Sequence, residues 1–147
     1  MSLKSLHFLL VEDDDAHAEL VGMALQENGV KTTVDRVRDG EEALAYLRRE
    51  GDYAEAARPD VILLDLKVPK MDGLEVLASI KEDPTLRRIP VLVMTTSDAE
   101  ADRARAYYNH ANSYLVKPAD FEKFHAMIRD MKYYWAAWNN LSEGGGG

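Results

Sequence analysis

Four apolar runs along the chain each stop at a polar or charged residue. The runs occupy positions 6–11, 61–64, 91–94 and 113–116, and the residues that follow them are Glu12, Asp65, Thr95 and Lys117. The run at 61–64 consists of consecutive branched aliphatic residues, which is typical of a strand buried on both faces in a parallel sheet. We therefore interpret the four runs as core strands.

Segments with helical spacing of apolar residues separate these runs. Caps at Asp14 or Asp15, at Asp39 and at Asp120 predict the starts of three helices, and two more helices are predicted to begin at about Asp72 and Asp98. In chain order the five helices end near Gly29, Leu47, Pro84, Asn109 and Trp138. Residues 32–37 alternate well enough for a fifth, more exposed strand. This alternation predicts an α/β fold, a doubly wound five-stranded parallel sheet with helices on both faces. The polar residues 49–58 fit either an extended helix or a surface excursion.

Composition limits the possible partners. The chain has 147 residues, enough for one domain, and 26 acidic against 18 basic residues give a net charge of −8. That charge argues against direct binding to nucleic acid or to an anionic membrane surface. The sequence has no cysteine, no apolar run long enough for a membrane span and no signal-peptide core, so we expect a cytoplasmic protein.

The strand ends predict a reactive site. Because the carboxyl ends of parallel strands meet at one edge, an acidic cluster, a carboxylate, a hydroxyl and an amine should converge there. Oxygen ligands favour a hard cation such as Mg²⁺, bound directly by Asp13 and Asp65, by a backbone carbonyl just after Asp65, and through water by Glu12. Lys117 would neutralise a phosphoryl group, and the Thr95 hydroxyl would donate to one of its oxygens. Asp65 is then the predicted nucleophile, forming an acyl phosphate.

These residues together resemble the response-regulator receiver domain of two-component signalling. The resemblance covers roughly residues 5–138, which we interpret as the domain, with 139–147 as a C-terminal tail that is partly not native. It depends on the following motifs, in this order: Glu12-Asp13, Asp65 with Met71-Asp72-Gly73, Thr95, and Tyr114 with Lys117-Pro118.

The resemblance implies a flavodoxin-like strand order of 2-1-3-4-5 and a cis peptide before Pro118 that helps to aim Lys117. It implies phosphoryl transfer from the phosphohistidine of a histidine kinase to Asp65, with Mg²⁺ as cofactor. The Lys67 carbonyl would be a metal ligand and Thr96 would join Thr95 in binding phosphate. A switch of Thr95 and Tyr114 would remodel the face made by the fourth helix, fifth strand and fifth helix. Glu12 stands where the family often has Asp, and it has the same charge and a longer side chain. The Lys67 ammonium either lies over the phosphate or is solvated.

The last predicted helix carries an aromatic extension. Phe124, Ile128, Met131, Trp135 and Trp138 form an apolar stripe at steps of three and four residues. Phe124 and Ile128 should face the core, whereas Tyr133, Tyr134, Trp135 and Trp138 are hard to bury in a domain of this size and predict a dimer or partner face. Together with the excursion at 51–54, this extension resembles small stand-alone regulators paired with cyanobacterial and bacterial phytochromes, which tend to dimerise.

Two other functions fit the sequence poorly. A phosphohydrolase with an aspartyl-phosphate intermediate often has a second acid two residues after the nucleophile, where this chain has Lys67. A flavin carrier fits poorly because residues 12–15 are acidic where a phosphate loop would lie. A phosphate sink and a phosphorylation-independent binding domain remain alternatives. We therefore expect a phosphoacceptor with assisted self-phosphorylation and self-dephosphorylation, not a conventional turnover enzyme.

Overall fold

The structure is a computed structural model that describes residues 5–26, 31–96 and 99–145, with side chains as far as Ala137. Its strands are β1 Leu6–Val11, β2 Thr32–Val37, β3 Val61–Leu64, β4 Val91–Thr95 and β5 Ser113–Val116. Its helices are α1 Asp15–Leu25, α2 Gly40–Leu47, α3 Gly73–Glu82, α4 Glu100–Tyr108 and α5 Phe121–Gly145, with one 3₁₀ turn at Gly51–Tyr53. The predicted end of the first helix at Gly29 and the predicted start of the fourth at Asp98 lie outside the described residues.

The strands form one parallel sheet in the order β2-β1-β3-β4-β5. This is the doubly wound, flavodoxin-like arrangement expected from the sequence. In the centre of the sheet, Leu10 of β1 lies opposite Leu63 of β3, and Leu64 lies opposite Val93 of β4. All strands therefore point their carboxyl ends toward the same edge.

The sheet separates two hydrophobic cores. Phe8 and Leu10 face α1 and α5, whereas Leu9 and Val11 face α2, α3 and α4. All four residues of β3 are buried, and they alternate between the two cores. This explains why the sequence of β3 is continuously apolar.

Aspartates cap four of the helices, and the caps of α1, α2 and α5 were predicted. Asp14, Asp39, Asp72 and Asp120 accept backbone N–H hydrogen bonds from the first turns of α1, α2, α3 and α5. At α2, Glu42 also reaches back to the N–H of Arg38, which completes a variant of the capping box. These caps satisfy donors that have no partner inside the helix.

Residues 49–58 form a surface excursion. Arg49 has a positive φ of 56°, which ends the helical path after α2, and a 3₁₀ turn follows. Tyr53 fixes this segment by donating from its hydroxyl to Glu42 at 2.7 Å. This side-chain bond adds to the backbone bonds that join the N–H groups of Arg49 and Glu50 to carbonyls of α2.

Helix α5 is longer than predicted. It was expected to end near Trp138, but it continues to Gly145. Residues 139–143 contain neither proline nor glycine, so nothing in the local sequence stops the helix before the glycine tail. Within the described part of the chain, no helix is both long and apolar enough to cross a membrane.

Candidate functional site

Four of the predicted site residues meet at the carboxyl edge of the sheet. Glu12, Asp65, Thr95 and Lys117 follow or end β1, β3, β4 and β5, and all four are buried. Backbone hydrogen bonds continue the sheet past the strand ends, because Asp65 N–H donates to the Val11 carbonyl at 3.0 Å and Lys117 N–H to the Thr95 carbonyl at 2.7 Å. The extended ladder holds these residues at fixed positions relative to one another.

The ammonium of Lys117 is at the centre of the site. Its Nζ donates to Glu12 Oε1 at 2.5 Å and to Asp65 Oδ2 at 2.9 Å. It also donates to Nδ1 of His17 at 2.9 Å. The other oxygen of Asp65 accepts the backbone N–H of Lys67 at 3.0 Å. Asp65 is therefore held by one charged and one backbone donor, in a fixed orientation.

The site holds two buried acidic side chains, Glu12 and Asp65, for one buried ammonium. The pKa of the Glu12 carboxyl is raised from 4.5 to about 7, mainly because burial disfavours its charged form. The hydrogen bond from Lys117 opposes this rise, and repulsion from Asp65 adds to it. One buried ammonium thus faces two carboxylates, and a further cation would favour the ionised form of both.

The donors suit a hard divalent cation. The backbone at the end of β1 carries Asp13, an exposed carboxylate next to the buried Glu12. Over residues 5–26, 31–96 and 99–145, no three His, Cys, Asp or Glu side chains are arranged to hold a metal. A site made of two carboxylates, a backbone carbonyl and water needs no such trio, since Mg²⁺ keeps several of its waters. A cation is favoured here because the single positive charge of Lys117 faces two acidic side chains, Glu12 and Asp65.

The predicted switch residues lie on neighbouring strands. Thr95 is completely buried, and Tyr114 is 5% exposed with its ring in the core beside α4. The guanidinium carbon of Arg103 lies 4.9 Å from the centre of that ring. Tyr114 is therefore packed inward. Thr96, in contrast, is exposed.

The expectation of a cis peptide before Pro118 is wrong, since the described residues contain none. The trans form is intrinsically favoured by about 0.5–1 kcal/mol. Lys117 is aimed instead by its backbone bond to Thr95 and by its ion pairs with Glu12 and Asp65.

Two residues were not assigned to this site from the sequence. His17 is the first of them, and its ring nitrogen Nδ1 lies 2.9 Å from the ammonium of Lys117. Its position in the first turn of α1, close in sequence to the acidic residues Glu12 and Asp13, could have indicated this contact. Gly73 was noted only as part of a motif, and a Cβ there would lie 2.5 Å from the Leu66 backbone. This close approach explains why the loop after Asp65 carries a glycine.

The aromatic extension of α5 is partly exposed. Phe124 and Ile128 are buried, which confirms that they face the core. Tyr133 and Tyr134 are 38% and 62% exposed, while Trp135 is half-buried and packs edge-on against the Tyr134 ring. The side chain of Trp138 lies outside the described residues.

Comparison with known proteins identifies the family. The model of the response regulator receiver domain matches residues 8–129. The chain belongs to this family. Receiver domains are signalling proteins that bind a divalent metal and interact with histidine kinases.

Individual relatives agree with this assignment. The probable methanogenesis regulatory protein FilR2 of Methanothrix harundinacea is 48% identical over 132 residues, which cover 89% of this chain and 84% of FilR2. The crystal structure of the phosphorylated cyanobacterial phytochrome response regulator RcpA superposes with a TM-score of 0.87 at 48% identity, covering 89% of this chain and 94% of RcpA. The Mn²⁺-bound form of Rcp1 from Synechocystis gives 0.86 at 41% identity, with coverage of 89% and 94%. This receiver is thus homologous to phytochrome-associated response regulators.

Proposed function

We propose that this receiver accepts a phosphoryl group on Asp65 from the phosphohistidine of a histidine kinase, in a reaction that requires Mg²⁺. The observation that carries the proposal is the position of the Asp65 carboxylate. It lies at the carboxyl end of β3, bound on one oxygen by Lys117 Nζ and on the other by the Lys67 N–H. A carboxylate held in this way is oriented for in-line attack on phosphorus.

The roles of the residues follow from their chemistry. An Asp65 oxygen forms the bond to phosphorus while the phosphorus–nitrogen bond breaks and its electron pair goes to the leaving imidazole. Lys117 offsets the charge of the phosphoryl oxygens, and Thr95 and Thr96 donate to them. Glu12, Asp13, Asp65 and the Lys67 carbonyl would hold Mg²⁺, which supplies further neutralisation of the phosphoryl charge when bound.

We propose that Thr95 and Tyr114 connect this site to a protein surface. The support is their placement on adjacent strands, with Val93 of β4 opposite Tyr114 of β5. Tyr114 in turn contacts Arg103 of α4. A hydroxyl drawn toward a phosphoryl group would therefore alter packing beneath α4, which is a local change that biases a two-state element.

We propose residues 5–138 as the receiver domain. The family match at 8–129 and the burial of Ala136 in the core of α1 and α5 support this boundary. The residues beyond it continue helix α5 rather than begin a new element.

We also propose that the partner is a phytochrome-type histidine kinase and that the chain forms a homodimer through Tyr133, Tyr134, Trp135 and Trp138. The similarity to RcpA supports the first part. The exposed rings of Tyr133 and Tyr134 support the second. Sedimentation of the wild type at micromolar concentration should show a dimer that Trp135→Ala weakens. A wild type that sediments as a monomer would contradict the dimer.

The phosphoryl acceptor is tested by intact mass spectrometry after treatment with acetyl phosphate and Mg²⁺. We expect the wild type to gain one phosphoryl group, and Asp65→Asn or the wild type with a chelator to gain none. Asp52→Asn, at an exposed carboxylate in the 3₁₀ turn, is the matched control and should react as the wild type does. Phosphorylation of Asp65→Asn would refute the assignment. Failure of the wild type with both acetyl phosphate and a phosphorylated histidine kinase would favour phosphorylation-independent binding.

A further inference from the structure

The ammonium of Lys117 has all of its hydrogen-bonding capacity in use. A lysine ammonium has three N–H donors and no acceptor. Its partners here are Glu12 Oε1, Asp65 Oδ2 and His17 Nδ1, at 2.5, 2.9 and 2.9 Å. Because the ammonium can only donate, Nδ1 of His17 must be the acceptor and its ring proton must lie on Nε2. A phosphoryl oxygen can bind Lys117 only if one of these three acceptors gives way.

The bond to His17 is the one that is easiest to replace. The ionised forms of Glu12 and Asp65 bind the ammonium roughly twice as strongly as neutral groups do. Asp65 also keeps a carbonyl oxygen as an acceptor after its other oxygen has formed the bond to phosphorus. His17 accepts through a neutral ring nitrogen. Its side chain is 33% exposed, whereas the side chains of Glu12 and Lys117 are each 2% exposed. His17 therefore lies at the solvent side of the ammonium, where a phosphodonor must arrive.

We propose that His17 is a positioning residue that holds the third N–H of Lys117 until a phosphoryl oxygen on Asp65 replaces it. This inference rests on the proposed phosphorylation of Asp65. In the unphosphorylated protein His17 satisfies a buried donor that would otherwise have no partner, and such a donor is costly to leave unpaired. In the phosphorylated protein the stronger, charged phosphoryl acceptor takes the donor, and the ring is released.

Two substitutions at His17 distinguish the effect of the hydrogen-bond acceptor from the effect of the ring. His17→Phe keeps a flat ring beside Phe124, whose centre lies 6.1 Å from that of His17, but removes the nitrogen. His17→Asn places an amide oxygen close to the position of Nδ1 and restores the acceptor. Both leave the cap of α1 intact, because the bond from residue 17 to Asp14 uses the backbone N–H.

His17→Phe should have opposite effects on folding and on phosphoryl binding. Its ring fills the space without accepting a bond, so the ammonium loses a partner only in the unphosphorylated state. We expect the variant to unfold at lower denaturant concentration, yet to bind beryllofluoride, a phosphoryl analogue, about tenfold more tightly. A residue needed only for packing would weaken both properties. His17→Asn should return both toward the wild-type values.

The experiment is a beryllofluoride titration in the presence of Mg²⁺, followed by ¹⁹F NMR of the bound analogue, on the full chain. Asp65→Asn is the control for the site of binding. Tighter binding by His17→Phe with restoration by His17→Asn supports the inference. Equal or weaker binding by His17→Phe, or identical behaviour of the two variants, overturns it while leaving the proposed function in place. A wild type that binds no beryllofluoride, or binds it equally after Asp65→Asn, overturns both.

Discussion

Replacing Glu12 by glutamine should make the metal-free protein more resistant to unfolding at neutral pH. The Glu12 carboxyl has a pKa near 4.5 in an unfolded chain and about 7 in the folded protein. A raised folded-state pKa means that the stabilising contribution of the protonated carboxyl is complete below pH 4.5 and is lost as pH rises through about 7. The difference corresponds to roughly 3 kcal/mol of unfolding free energy. Glutamine resembles the protonated carboxyl at every pH and should avoid this loss.

The measurement is urea unfolding by circular dichroism from pH 4 to 8, with a chelator present. The unfolding free energy of Glu12→Gln minus that of the wild type should be constant at the acid end and rise by roughly 3 kcal/mol toward pH 8. This corresponds to a change in urea midpoint on the order of 1 M or more. Addition of Mg²⁺ should reduce the difference, because a divalent cation favours the ionised Glu12.

Glu19→Gln is the charge-matched control, since it removes one acidic charge from the exposed surface of α1. A difference curve for Glu12→Gln that stays flat would show that the attraction of Lys117 cancels the cost of burying the ionised Glu12. A curve that falls with pH would show that the attraction between Glu12 and Lys117 outweighs both the burial and the repulsion from Asp65. Either result would refute the reasoning.

Three further substitutions test the surroundings of the site. Gly73→Ala should lower the free energy of unfolding by about 1–3 kcal/mol and slow phosphoryl uptake, because its Cβ would lie 2.5 Å from the Leu66 backbone. Gly22→Ala is the control and should not lower stability, because a Cβ at Gly22 would have no atom within 4 Å. Lys117→Met should abolish phosphoryl uptake but strengthen Mg²⁺ binding in calorimetry, since it removes the cation that bridges two carboxylates; weaker Mg²⁺ binding would contradict this. Tyr46→Phe should lower unfolding free energy by about 1–2 kcal/mol, because the buried hydroxyl loses two polar partners. Tyr108→Phe, whose ring is 83% exposed, is its control and should leave the urea midpoint unchanged.

Local patterns in the sequence were sufficient to predict the elements of the fold. The continuous apolar run of β3 and the aspartate caps of the helices can be recognised from residues that lie only a few positions apart. Alternation of strands and helices then restricts the topology to a parallel sheet with right-handed crossovers. The sheet order and the edge that carries Asp65 follow from these features and from the family resemblance.

The predicted end of α5 near Trp138 was wrong. The prediction stopped the helix where the aromatic stripe ended, but residues 139–143 contain no strong helix breaker, and the helix continues through them to Gly145. The sequence analysis made no prediction for Lys132. Its side chain is completely buried, and its Nζ donates to the Leu25 carbonyl at 3.2 Å.

The choice of partners within the site depended on the folded structure. The sequence shows that Glu12, Asp65 and Lys117 follow strands of one sheet, so it determines that they share an edge. It does not show that Lys117 bridges the two carboxylates or that His17 accepts its third N–H. Those bonds join residues 105, 52 and 100 positions apart, and each needs the correct side-chain direction as well as the correct edge. Short-range periodicity specifies which face of a helix or strand a residue occupies. Hydrogen-bond partners are determined by distances between side chains, and these distances exist only after β5 has joined the sheet and α1 has packed against it.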